Sequence, residues 1–220
     1  MISLARQLCL TIAAGCVFAM LVQGGFAQTV QVREPLSTAN VRTEESNLAD
    51  VIADAIRSAA EADVALIAAT SFAEVSIPAG SAAAEDFEKA LVFRGDSIVV
   101  MKLKGAQIRT ALEHGLSLYP AKSAAFLQVS GISFEVNAAA PRNERVTALK
   151  VGKDPLDPDK TYTVAMPSPL AGGALVYSKA WSRSDMDRDT KITLGDAVRT
   201  YLAKNPEISV KIGERIIVRK

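Results

Sequence analysis

The sequence predicts an α+β layered fold in which a mixed β-sheet is flanked by helices. Helix-periodic and strand-like segments alternate along the chain, and several strand-like segments follow one another directly. This order favours a mixed sheet over a purely parallel one. The 220 residues are 49% hydrophobic, which is typical of a globular chain that builds its own core. We therefore expect a single folded domain over residues 41–220.

The first 27 residues have the pattern of a signal peptide. Arg6 precedes an apolar run from Leu8 to Val22, and small residues lead up to Ala27. About 15 apolar residues are fewer than the roughly 20 that a membrane-spanning helix needs. We expect cleavage after Ala27 and a periplasmic or secreted protein with no membrane span. The alternatives are an uncleaved N-terminal anchor and a lipoprotein acylated at Cys16.

The domain begins after a polar segment, residues 28–40, which predicts either a tether or a leading strand. Ser46 is a suitable N-cap, and apolar residues recur from Leu48 to Ile56 at the spacing of one helix face. This pattern predicts the first helix. The apolar run over residues 63–69 then predicts a strand that is covered on both faces.

The rest of the chain continues the alternation of helices and strands. The predicted elements are a short helix over 85–91, a strand over 97–103, a helix between Gly105 and Tyr119, strands over 126–136, 145–151 and 161–166, a helix that begins at Thr193, and a strand over 214–219.

Composition excludes two classes of function. A formal net charge of +1 and an aromatic content of 5% argue against a nucleic-acid partner, because such proteins carry a basic stripe or stacking aromatic surfaces. Both cysteines, Cys9 and Cys16, lie inside the predicted signal peptide. We therefore expect neither disulfides nor thiolate chemistry in the mature chain.

Metal and catalytic residues are scarce. His114 is the only histidine, so the chain cannot supply a dinuclear metallophosphoesterase centre, and a catalytic triad could form only around His114. Asp185, Asp187 and Asp189 have the alternating spacing of a calcium loop, but Thr190 stands where such a loop needs glycine. We interpret this segment as a solvated loop, with Ca²⁺ binding as the alternative, and expect no other cofactor.

Six short motifs follow one another between Arg42 and Trp181. They are Glu45–Ala55, Ser76–Gly80, Leu91–Asp96, Leu103–Gly105 with Leu112 and Glu113, Phe126–Ile132, and Leu170–Gly173. In this order and spacing they resemble the C-terminal domain of the 5′-nucleotidase and UDP-sugar hydrolase family. The resemblance implies that family's fold and a link to nucleotide catabolism. In the family, an N-terminal metallophosphoesterase domain carries the metals and the C-terminal domain holds the nucleotide; only the second half is matched here.

Several positions depart from what the resemblance implies. The family's phosphate-binding arginine corresponds to Glu74, and a second family arginine corresponds to Glu44. The phenylalanine that stacks on the base and the aspartate that holds the ribose correspond to Pro169 and Leu175. Replacing a cation by an anion changes a charge-assisted phosphate contact into a repulsion.

Phe93 matches a retained base-stacking phenylalanine of the family, and a core position is the alternative interpretation. Arg94 and Asp96 either add charges to a cleft or form a solvated turn, which we favour. The candidate ligand-binding residues are Ser71, Phe72, Glu74, Phe93, Arg94 and Asp96.

These observations predict an exported module that is not catalytic alone. Its expected role is to bind a nucleotide-like or other small molecule, or to assist a separately encoded metallophosphatase. The alternatives are a weak metal-dependent nucleotide phosphoesterase and a structural envelope protein without a ligand. No catalytic residue is predicted.

Overall fold

The computed structural model describes residues 29–219, which contain five α-helices and fourteen β-strands. The helices are α1 (Asn47–Ala60), α2 (Ala84–Glu88), α3 (Gly105–Gly115), α4 (Ser168–Ala171) and α5 (Leu194–Lys204). The strands are β1 (Thr29–Val32), β2 (Leu36–Ser37), β3 (Val64–Ala68), β4 (Ser76–Ile77), β5 (Gly80–Ala83), β6 (Ser97–Lys104), β7 (Leu127–Ser130), β8 (Ile132–Asn137), β9 (Val146–Val151), β10 (Asp154–Pro155), β11 (Thr161–Pro167), β12 (Met186–Thr193), β13 (Glu207–Ile208) and β14 (Ile216–Arg219).

The centre of the molecule is a five-stranded sheet with the strand order β12-β6-β11-β3-β7. Strands β3 and β11 run parallel, and the other neighbouring pairs run antiparallel. Smaller sheets have the orders β10-β9-β8-β14 and β13-β1-β5, and β2 pairs with β4. Mixed sheets flanked by helices confirm the predicted α+β fold class.

Helix α1 covers the central sheet and forms as its sequence predicts. The Ser46 side chain accepts a hydrogen bond from the Ala49 amide at 3.4 Å, which caps the helix start. The apolar face from Leu48 to Ile56 is buried against β7, β3, β11 and β6. Strand β3 is buried along its whole length, as expected of a strand covered on both faces.

The segment predicted to be a solvated loop is largely a strand, so that prediction is wrong. Residues 186–193 form β12, which pairs antiparallel with β6 at the edge of the central sheet, with two shifts of register. Strand β12 lies open to water and has no buried residue. Its polar sequence therefore carries no period-2 apolar signal from which a strand could be predicted.

A buried ionic cluster attaches the last strand to α1. The Arg215 guanidinium donates to both carboxylate oxygens of Asp54, at 3.0 and 2.8 Å. A carboxylate oxygen of Glu45 accepts from the amides of Arg215 and Ile216. Asp50 is fully buried, and neither of its carboxylate oxygens has a hydrogen-bond partner. Burial raises the pKa of Asp50 to about 8, against the opposing attraction of Arg215.

The predicted signal peptide, including its cleavage position, lies outside the described residues. Within residues 29–219, no helix is long and apolar enough to cross a membrane. The polar segment before residue 41 contains β1, which joins β13 and β5 in one sheet.

Candidate functional site

A small apolar cleft lies at one edge of the central sheet, where three strand ends meet. Strands β3 and β11 are parallel and end at Ala68 and Pro167, while the antiparallel β6 begins at Ser97. The cavity measures about 70 Å³. Its walls are Ala68, Thr70, Ser71, Phe93, Asp96, Pro167, Pro169, Leu170, Ala174 and Leu175.

Phe93 forms the exposed edge of this cleft. It stands in the turn before β6 and is 56% exposed, so it is not a core side chain. The turn is attached to the opposite wall because the Val92 amide donates to the Ser71 carbonyl at 3.0 Å, and the Asp96 amide closes the turn on the Phe93 carbonyl. An aromatic ring held this way on a short, braced turn is suited to stack against a planar ligand.

The polar groups of the cleft are few, and one of them is acidic. Thr70 and Ser71 contribute hydroxyls, and Asp96 contributes a carboxyl whose pKa is raised by burial. No lysine or arginine is among the cleft's walls within residues 29–219. The cleft can therefore accept hydrogen bonds from a ligand, but it offers no cation to a phosphate group.

The cleft wall formed by residues 173–176 has an unusual backbone. Leu175 and Val176 have φ angles of 56° and 68°, in the left-handed region, and they follow Gly173 at 88°. For a β-branched residue such as Val176 this conformation is a genuine outlier. Nothing in the sequence predicts it, because left-handed positions are normally filled by glycine or asparagine.

His114 and Tyr177 hold this wall in place. His114, near the end of α3, places Nε2 2.7 Å from the Leu175 carbonyl oxygen. The buried Tyr177 ring lies edge-on to His114 at 4.7 Å, stacks on Trp181 at 5.0 Å, and its hydroxyl donates to the Ala125 carbonyl at 2.5 Å. The histidine ring nitrogen nearest the cleft wall is therefore already engaged by the backbone.

The structure brings together only part of the candidate ligand-binding set. Ser71, Phe93 and Asp96 share the cleft, together with Pro169 and Leu175, two of the four positions at which the sequence departs from its resemblance. These five residues come from three separate parts of the chain. The family resemblance is the feature of the sequence that relates these distant positions to one another.

Arg94, Phe72 and Glu74 lie elsewhere. Arg94 faces a different pocket, beside Glu88 and Arg199, and its carbonyl accepts from the Gly195 amide. Phe72 is 5% exposed and belongs to the core, while Glu74 lines a third pocket. The structure thus places Arg94, Phe72 and Glu74 outside the walls of the Phe93 cleft, and their contact with a shared ligand stays a prediction.

The three aspartates of the predicted calcium alternative do not converge. Asp185 accepts from the Ser182 amide, Asp187 pairs with Lys102 at 2.6 Å, and Asp189 pairs with Lys191 at 2.8 Å. Hydrogen bonds from the two lysines lower the pKa of Asp187 and Asp189. Among residues 29–219, no group of three or more His, Cys, Asp or Glu side chains is arranged to hold a metal ion.

Comparison with known proteins relates this arrangement to a family. The model of the family described as 5′-nucleotidase, C-terminal domain, matches residues 23–183. The chain is 33% identical over 147 residues to the trifunctional nucleotide phosphoesterase protein YfkN of Bacillus subtilis, covering 63% of this chain and 10% of that protein. It is 28% identical over 134 residues to the 5′-nucleotidase of Homo sapiens, covering 56% and 22%.

A solved structure agrees with the sequence matches. The chain superposes on a 5′-nucleotidase precursor from Thermus thermophilus with a TM-score of 0.77 and 28% identity. The match covers 86% of this chain and 39% of that one. The chain thus spans well under half of the length of each of these relatives.

Proposed function

The chain belongs to the 5′-nucleotidase C-terminal domain family, and on that premise we propose that it is an exported, non-catalytic module that binds a small ligand in the Phe93 cleft. The observation that carries this proposal is the cleft itself, an exposed aromatic ring above apolar walls at the end of the central sheet. A second element of the proposal is that the module assists a separately encoded metallophosphatase.

The cleft walls match the chemistry of an uncharged planar ring with a hydrogen-bond donor, which would stack on the exposed Phe93 at the mouth of the 70 Å³ cavity. Phe93 supplies a stacking face, and Asp96 and the two hydroxyls accept or exchange hydrogen bonds. A phosphorylated ligand meets Asp96 without a compensating cation from the cleft walls. A nucleoside or free base therefore fits better than an ordinary nucleotide.

The donor set of the described residues supports a non-catalytic role. Hydrolysis of a phosphoester needs an activated water or nucleophile beside a group that stabilises the developing charge. Here the one histidine ring donates to a backbone carbonyl, and the aspartates of β12 are paired with lysines. Export rests on the signal-peptide pattern of residues 1–27.

The test is a pair of measurements on the purified protein. In a thermal-shift assay we expect adenosine to raise the melting temperature more than AMP does at equal concentration. A ligand at 100 times its Kd stabilises by about 2.7 kcal/mol, which for a domain of this size is a shift of roughly 5 to 11 °C. In a phosphate-release assay with AMP and Mn²⁺, Mg²⁺ or Ca²⁺ we expect no turnover.

Two variants locate the site. Phe93→Ala should abolish the adenosine shift, whereas Val92→Ala should keep it, because Val92 is 49% exposed and is not one of the cleft walls. An equal loss in both variants, or metal-dependent phosphate release by the wild type, would refute the proposal. Co-purification with a metallophosphatase from the producing cell distinguishes an assisting module from a module that only binds.

A further inference from the structure

We propose that His114 is the positioning residue of the Phe93 cleft, holding the strained wall at Leu175 and Val176 in the shape that receives a ligand. This inference rests on the proposed function for its ligand, but its structural part does not. The contact between the His114 ring and the Leu175 carbonyl carries it.

The direction of this hydrogen bond follows from the chemistry of the two groups. A carbonyl oxygen can only accept, so Nε2 of His114 must carry the proton at a separation of 2.7 Å. Leu175 is at once the anchored residue and a cleft wall. The hydrogen bond from His114 therefore restrains the backbone of a residue that lines the ligand cleft.

The anchored segment needs an external restraint. Two consecutive residues other than glycine lie in the left-handed region, and each is disfavoured there by the contact of its Cβ with the backbone. Such strain persists only where the surroundings over-determine it, and it is concentrated at functional sites. Val176 is 52% exposed, so packing of its own side chain provides little of that restraint.

The end of α3 is built to supply the restraint. Gly115 leaves room for the Tyr177 hydroxyl, since a Cβ on Gly115 would stand 3.1 Å from it. That space lets Tyr177 insert beside His114, stack on Trp181 and donate to the Ala125 carbonyl. His114 and Tyr177 thus fix the strained segment at Leu175 and immediately after Val176.

Three variants separate positioning from mere stability. His114→Phe keeps a ring against Tyr177 but removes the donor, and His114→Gln keeps an N–H donor near the position of Nε2. Thr110→Ala is the matched control, one turn earlier on α3 and exposed, where the hydroxyl bonds only to its own helix. Each variant is compared with the wild type by hydrogen exchange and by adenosine affinity.

Hydrogen exchange tests the anchor without a ligand. The amides of Ala180 and Trp181 donate to the Tyr177 carbonyl and report on this segment. We expect their exchange to be about tenfold faster in His114→Phe, and close to wild type in His114→Gln and Thr110→Ala. Unchanged exchange in His114→Phe would overturn the inference.

Affinity tests whether the anchor serves the ligand. His114→Phe should weaken adenosine binding about five- to tenfold, the effect of losing one positioning hydrogen bond, and His114→Gln should restore most of it. Equal affinity in wild type and His114→Phe overturns the positioning role even if the variant melts earlier. If the wild type does not bind adenosine, the proposed function fails, and the exchange comparison alone decides on the anchor.

Discussion

The left-handed backbone at Val176 can be tested by comparing two valine-to-glycine variants. Val176 and Val92 are both about half exposed, at 52% and 49%, so each substitution removes a similar amount of buried surface and adds the same flexibility to the unfolded chain. They differ in backbone conformation, since Val176 has a φ of 68° and Val92 is not among the described residues with positive φ. The difference in stability between the variants therefore isolates the strain.

The expected difference follows from the cost of left-handed backbone. This conformation costs a residue with a side chain about 1 to 2 kcal/mol, which glycine avoids. Val176→Gly should therefore be about 1 to 2 kcal/mol more stable than Val92→Gly, and melt roughly 2 to 8 °C higher. Urea unfolding followed by circular dichroism measures the free energies directly. Equal destabilisation by the two substitutions would refute the strain at Val176.

Three further predictions concern the core and its charges. Because burial raises the pKa of Asp50 to about 8, the folded protein keeps a proton that the unfolded chain releases near pH 4. The free energy of unfolding should therefore fall by up to about 1.4 kcal/mol per pH unit as the pH rises from about 4 to about 8. Asp50→Asn should flatten this slope in urea titrations. Arg215→Ala should cost about 3 to 5 kcal/mol, because it removes both guanidinium hydrogen bonds to the partly buried Asp54 carboxylate. Arg219→Ala, which breaks an exposed ion pair, should cost less than about 1 kcal/mol, and similar losses of the two variants by calorimetry would contradict the buried cluster. Gly105→Ala would place its Cβ 2.1 Å from a backbone oxygen, whereas Gly95→Ala meets nothing within 4 Å, so only the first should lower the melting temperature, by an overpacking cost of about 1 to 3 kcal/mol.

The parts of the fold that could be predicted are those with a buried face. Helix α1 shows an unbroken apolar stripe behind a serine cap, and β3 is apolar at every position. Strand β12 could not be predicted, because an edge strand beside water is selected for polar residues. Asp187 pairs with Lys102 of the neighbouring β6, a contact that depends on strand pairing, whereas Asp189 pairs with Lys191 of its own strand.

The cleft was predictable only as far as the family resemblance reached. It brought Phe93, Asp96, Pro169 and Leu175 together from distant segments, and the structure places them around one cavity. The resemblance did not show that Arg94 faces a different pocket from Phe93. The direction of each side chain in a turn is set by backbone angles, which the sequence does not give. The hydrogen bond from His114 to the Leu175 carbonyl could not be predicted either, because it depends on a left-handed backbone that local residue propensities disfavour.

The cluster around Arg215 joins two parts of the chain that are synthesised far apart in time. Helix α1 carries Asp50 and Asp54 near the beginning of the domain, while their guanidinium partner is 161 residues beyond Asp54. A growing chain therefore has carboxylates at the future centre of the molecule with no counter-charge until residue 215 has emerged. Helix α1 reaches its fully paired arrangement only after that moment, because Asp54 then gains the Arg215 guanidinium and Glu45 gains the amides of Arg215 and Ile216.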